Sequence, residues 1–465
     1  MENKTGQSTV SFPSNSESIA LVLTACAVGA LFILLVSSGN FVFGSNAGNW
    51  IYPYYESKHQ VPAWILGTVL LSLGLSIFAG SRLIHSHEKI TLIGCYLNAV
   101  FMQALIRKVY PISLGVIVQS DTANSFYTPA IRYSTFEILA RFDELISSFP
   151  HHATTNMPGK ILLYDILMLF TSSPRIMGYL VIVVSSLGAL LLYGICKQLF
   201  HDKRTAFYAL ILYALIPCKL FFFPILNTVS PVIILLCLYL FLAYIENGHG
   251  LMASLLGIGL YIQFLFEPLP LITGIIFLGI LLQAIRERRI SKEGFWKLIL
   301  NMSLGFLSVY FLFSIFFSFD LFRTFMYVWK DLMNFNTNGQ RDYWIWLGEN
   351  IKEFFYGVGV PITIITIYMI AHIFAQWKAS RDFVLLSVEN VFAMSVIITF
   401  LILVVLGINR GEVTRLWIFL AVFFQVPASI FMAKHVKSNV PFYLVTGMLV
   451  VQSIITLHRI GFIIP

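Results

Sequence analysis

Apolar runs of about twenty residues recur from one end of this chain to the other, and that is the length of a helix crossing the hydrocarbon of a bilayer. They fall at residues 19–43, 62–83, 90–106, 176–195, 206–223, 229–244, 251–266, 271–285, 298–317, 358–374, 391–406, 416–432 and 442–457. A backbone in hydrocarbon must satisfy its own hydrogen bonds, so continuous runs form helices, whereas barrel strands alternate over about ten residues. The expected fold is all-α, a polytopic membrane protein of about 11–13 transmembrane helices. With 58% of residues apolar and only 11% charged, a water-soluble domain is excluded. Residues 1–18, rich in Ser, Asn and Thr and without a basic n-region or cleavage site, read as a disordered cytoplasmic tail; residues 19–465 read as one transmembrane domain.

A formal net charge of +8 raises the question of a nucleic-acid partner. The basic residues answer it, because they sit in short tufts between the runs and form no stripe or patch. The tufts are Arg82 and Lys89; Lys197, Lys203 and Arg204; Arg286, Arg288, Arg289, Lys292 and Lys297; Lys378 and Arg381; and Lys434 and Lys437. They occupy alternate connections. Short Lys/Arg-rich loops stay cytoplasmic, so the expected amino terminus is inside, and the loops at 119–174 and 318–357, the turn at 409–415 and the carboxyl terminus face outward. The five cysteines all fall in apolar runs and show no ligand spacing, as expected of small buried hydrophobes.

Between runs this apolar, the polar stretch 119–160 needs a reason. Its outer loop continues into 161–170, too short to span and suited to a helix lying in the interface. The stretch 322–356 mixes Trp329, Tyr343, Trp344, Trp346, Phe354 and Phe355 with charges, the composition of headgroup depth. Within the first loop Asp121 reads either as a solvated acid or as a general base taking a proton from an attacking hydroxyl. His151 and His152 read as solvated loop residues or as substrate ligands; adjacent positions lack the spacing of a helical metal pair. Arg410 and Arg415 offer paired donors to a phosphate, or else snorkel to headgroups, with Glu412 in reach of Arg415 at i, i+3. Lys160 reads as a phosphate ligand or as an ordinary helix-start lysine, and Glu267, in Phe-Glu-Pro-Leu-Pro, as a cavity-facing acid or a plain turn acid.

Ser120-Asp121 followed by Tyr127 and Ala130, then a His-rich stretch ending Met157-Pro158-Gly159-Lys160, resembles the first outer loop of the GT-C superfamily of polytopic glycosyltransferases. The run from Gly411 through Glu412, Arg415 and Trp417 is similar to a Glu-x-x-Arg-x-Trp turn in late outer loops of some bacterial members of that superfamily. The resemblance extends from about residue 90 onward and makes the first two helices an N-terminal addition. It implies transfer of a sugar from a polyprenyl-phosphate-linked donor to a glycan, lipid or protein acceptor at the outer membrane face. Asp121 is then the catalytic base, Arg415, Arg410 and Lys160 bind the donor phosphate, and Tyr127, His151, His152 and Glu412 contact substrate. Thr122 stands where many members carry a second acid, and Met157 replaces a proline. A divalent cation is left open by that difference, and no metal ligand is assigned.

Two other classes compete. A transporter or flippase of a lipid-linked or small solute predicts ionisable residues in mid-span and internal repeats, and the sequence is poor in both. A surface-polysaccharide polymerase predicts its largest functional loop late in the chain, whereas here the longer polar loop is early.

Overall fold

The computed structural model describes residues 13–55, 61–380 and 387–465. Among them twelve helices are long and apolar enough to cross a membrane, and Gly250–Phe266 is a shorter apolar helix. Every apolar run of the sequence has become a helix, from Asn15–Ser37 at the start to Val440–Arg459 at the end. The chain is an all-α polytopic membrane protein. The first helix begins inside the stretch expected to be a tail: Ser14 and Glu17 form a capping box, each side chain accepting from the other residue's backbone N–H. Residues 1–12 of that expected tail, and Arg381 of one basic tuft, lie outside the described residues. Among the described residues the only sheet is a hairpin of two short strands, Gly44–Ser45 and Trp50–Ile51.

Lipid is as apolar as leucine, so apolarity alone does not bring helices together in a membrane; close backbone approach does. Gly257 and Gly305 show this where Gly250–Phe266 crosses Lys292–Phe317. A Cβ on Gly257 would run into the Met302 carbonyl oxygen, and one on Gly305 into that of Ser254. Around a centre formed by Lys203–Phe221 and Ile418–His435, both almost wholly buried, the remaining spans are packed with one side free. Only 11% of the Lys292–Phe317 window is buried, and Leu300, Phe311, Ile315 and Phe316 point outward. In a membrane protein such a face meets lipid.

The two ends of the bundle differ. At one end lie basic tufts: Lys197 and Lys203 pair with Glu88 at 2.5 and 2.9 Å, and Arg204 donates to the carbonyls of Ala433 and Val436. At the other lie the long loops. There Gly461 N–H donates to Pro53 O at 2.8 Å, Thr122 Oγ1 to Ile464 O at 3.2 Å and Trp346 Nε1 to Gly48 O at 3.0 Å. The loop between the first two spans, the stretch after the third, the helices after Phe317 and the carboxyl terminus therefore assemble together, with the basic tufts at the far side. This separation is the one the alternation of Lys/Arg along the sequence requires.

Candidate functional site

The segment between Arg107 and Pro174 is folded, and its Val118, Phe126, Ile138, Phe142 and Tyr164 join an apolar core shared with Met177, Tyr261, Leu265 and Leu321 of neighbouring helices. Short capped helices build it. Ser134 and Glu137 form a second capping box, and the Asn124 amide donates to Val118 O at 2.8 Å and to Tyr164 Oη at 2.7 Å. Its last turn before Gly159–Met168, His151–Thr154, sets His151 and His152 at the edge of a cavity of about 280 Å³.

Two chemistries meet in that cavity. One wall is the inward stripe of the amphipathic helix Leu321–Asn338, whose Phe325, Val328, Leu332 and Phe335 recur at helical spacing. The facing wall comes from residues 408–416 and carries Arg410, Glu412 and Arg415, joined by Arg341 from the second loop. Arg341 and Arg410 clasp reciprocally: each donates to the other's carbonyl oxygen, at 2.6 and 2.7 Å. Among the described residues neither forms an ion pair. The buried Nε atoms of Arg410 and Arg415 have no hydrogen-bond partner, a costly state for a guanidinium unless an anion completes it.

The turn holding Arg415 is fixed from behind. Asn350 donates to Asn409 O at 2.7 Å and accepts from Gly411 N–H at 3.1 Å, while Trp417 Nε1 donates to Asn409 Oδ1 at 3.0 Å. Gly411 and Glu412 are both left-handed, at φ +93 and +59. Glycine takes that conformation freely and glutamate does not, and a strained carboxylate in a cavity wall is a feature of functional sites. Glu412 accepts from Arg415 at 3.3 Å, with each side chain 13% exposed. On the other side, Arg415 lies 3.4 Å from His152 Nε2. Burial, with the neighbouring guanidinium adding to it, holds the His152 imidazole well below its usual range, so at pH 7 it is neutral and Nε2 accepts from Arg415.

A smaller cavity of about 70 Å³ lies across this pair, with His152, Glu412 and Arg415 in its wall as well as in that of the larger one. The rest of its wall comes from the first loop and the chain's end: Trp50, Tyr52, Thr122, Ala123 and Phe462, among others. Behind both, Glu353 is fully buried and accepts from Thr414 Oγ1 at 3.4 Å. Burial pushes its carboxyl up to about 8, with the charge of Glu412 adding to the rise and Lys352 opposing it.

Of the residues singled out in the sequence, His151, His152, Arg410, Glu412 and Arg415 come together around the larger cavity. Three do not line either cavity. Asp121 is exposed and accepts from Thr128 Oγ1 at 2.5 Å, although its neighbours Thr122 and Ala123 reach the smaller cavity. Tyr127 packs edge-on against Tyr164 within the loop's core. Lys160, 1% exposed, pairs with Glu267 at 3.4 Å and donates to Asn156 at 2.9 Å. Glu267 does line the larger cavity, so the pair braces its floor. No known protein family's profile matches this chain, and no curated protein does. Among the described residues no group of three or more His, Cys, Asp or Glu side chains could hold a metal ion.

Glu353 makes the site's stability pH-dependent in a definite direction. A carboxyl whose folded pKa is raised from 4.5 to about 8 binds a proton in the folded state that the unfolded state has lost. Its contribution is therefore present at low pH and is lost as pH rises between those two values, at up to about 1.4 kcal/mol per pH unit. Thermal unfolding of the purified protein in detergent should show Glu353→Gln gaining on the parent as pH rises from about 5 to 8. Parallel pH profiles for the two proteins would show that Glu353 titrates normally.

Proposed function

We propose that this protein is a membrane glycosyltransferase that moves a sugar from a polyprenyl-phosphate-linked donor to an acceptor. The observation that carries the reading is the larger cavity, whose one side is apolar and whose other side presents three arginines. In its wall Glu412 offsets Arg415, and Glu267 is offset by Lys160 from behind the wall. Arg341 and Arg410 remain as unbalanced positive charge. A ligand with a long apolar tail and an anionic head matches both halves, and guanidinium forks match phosphate oxygens in pairs.

In this reading an acceptor hydroxyl oxygen attacks the anomeric carbon of the donor sugar. The bond from that carbon to the phosphate oxygen breaks, and the polyprenyl phosphate departs with the electron pair. Arg341, Arg410 and Arg415 stabilise the charge gathering on the leaving phosphate. The acceptor proton passes to a carboxylate. Glu412, in the wall common to both cavities, takes that role. Asp121, expected from the resemblance to be the base, stays as the alternative because Thr122 and Ala123 beside it reach the smaller cavity. The basic tufts gather at the end opposite the site, which favours a site on the extracytoplasmic face.

Two measurements test this. With a reconstituted lipid-linked sugar, Glu412→Gln should lower transfer by roughly 10²-fold or more at matched protein levels, while Asp121→Asn loses far less. The reverse ranking would move the base to Asp121, and full activity in both would remove the carboxylate step. For orientation, a cysteine replacing the exposed Ser147 should react with a membrane-impermeant thiol reagent in intact cells, and one replacing the exposed Ser291 should not. The opposite labelling would place the site in the cytoplasm.

A further inference from the structure

The hairpin loop between the first two spans does more than cover the bundle's end. It sends Trp50 and Tyr52 into the wall of the smaller cavity. Tyr52 is only 4% exposed, yet its phenolic oxygen has no hydrogen-bond partner, and neither has the buried indole Nε1 of Trp50. Buried donors left open in this way cost free energy in the empty site and recover it when a ligand supplies an acceptor. Burial, with the charges of Glu412 and Glu353 adding to it, pushes the Tyr52 phenol well above its usual range, so it keeps its proton.

The chemistry of the wall narrows the ligand. The Trp50 indole and the Tyr52 phenol call for acceptor oxygens, while the Glu412 carboxylate calls for a hydroxyl donor. A hydroxyl group is both. Glu412 and Arg415 balance one another in this wall, which lacks the Arg341 and Arg410 of the larger cavity, so the matching ligand is neutral. The rings of Tyr52 and Phe462, 5.0 Å apart edge to face, with Phe222 beside them, give apolar faces of the kind that pack against the C–H side of a sugar ring. A volume of about 70 Å³ is about half that of a cavity that takes benzene, so it admits one hydroxyl-bearing edge of a sugar, with the rest of the ring outside it.

We propose that the smaller cavity binds the hydroxyl-bearing edge of one neutral sugar, held by Tyr52 Oη, Trp50 Nε1 and the Glu412 carboxylate. Its role as the acceptor's ring rests on the transfer reaction above; the binding itself does not. The hairpin loop of the first two spans is then part of the specificity machinery.

The test uses the full chain in phosphatidylcholine nanodiscs, because a maltoside detergent would itself compete. Methyl glycosides of mannose, glucose, galactose and arabinose are titrated, with saturation-transfer NMR and tryptophan fluorescence as readouts. At least one should bind saturably, and Tyr52→Phe should weaken it about tenfold, the scale of one lost hydrogen bond in a buried site. The same variant should leave Tm unchanged or raised, since it removes a hydroxyl that has no partner in the free protein. Trp50→Phe should weaken the same glycoside. Failure of all four to bind the parent, equal binding in both variants, or a lowered Tm in Tyr52→Phe would each overturn the assignment. Glycoside binding without any sugar transfer would keep this site and discard the transferase reading. Transfer with an acceptor KM unmoved by Tyr52→Phe would do the opposite.

Discussion

A backbone in hydrocarbon has no water to bond, and everything else in this protein is arranged around that fact. It makes each apolar run a helix and pushes irregular backbone to the two ends of the bundle. Once there, the segments that cannot be helical across lipid are free to carry polar side chains at low cost. One end receives short basic connections. The other receives the longer connections, from the hairpin at Gly44–Ile51 through the turn at 408–416 to the tail after Arg459, and these fold against one another into a layer with buried polar groups. The two cavities lie in that layer, where apolar helices and charged loops meet.

Charge burial there is expensive and is managed piece by piece. Lys160 is matched with Glu267 and braced by Asn156; Arg415 is matched with Glu412 and meets a neutral imidazole on its other side. Arg341 relies on the Arg410 carbonyl and on the faces of Phe335 and Trp50, 4.7 and 5.3 Å from its guanidinium carbon, a cation–π arrangement worth about 1–2 kcal/mol when desolvated. Replacing such a cluster by well-packed apolar residues would commonly stabilise a protein. Its presence, together with guanidinium nitrogens that lack partners and a left-handed glutamate, is what the anionic ligand proposed above would account for.

The helical architecture was legible because hydropathy over twenty residues is a long, redundant signal; single substitutions do not erase it. Helix starts were less so, since the Ser14–Glu17 capping box lies upstream of the apolar run that announces the helix. Of the site, the part carried by local patterns could be read: His152 in its polar stretch and Glu412 and Arg415 in one turn. Arg341 and Tyr52 could not be singled out, because nothing near them in sequence marks them; they matter only through contacts with segments tens to hundreds of residues away. Asp121 shows the converse. Its sequence context is the most suggestive in the loop, but whether a carboxylate turns toward a cavity or toward Thr128 depends on packing that no spacing encodes.

Direct binding tests whether the arginine-lined cavity recognises an anionic head on an apolar tail, without assuming any reaction. Native mass spectrometry of the purified protein, titrated with farnesyl phosphate and with farnesol, would measure both affinities. Farnesyl phosphate should bind at least about 100-fold more tightly than the alcohol, and the paired substitution Arg341→Gln with Arg415→Gln should remove most of that preference, as expected for charge-assisted contacts in a desolvated pocket. Equal affinity for phosphate and alcohol, or a preference untouched by the paired substitution, would contradict recognition of the anionic head by these arginines.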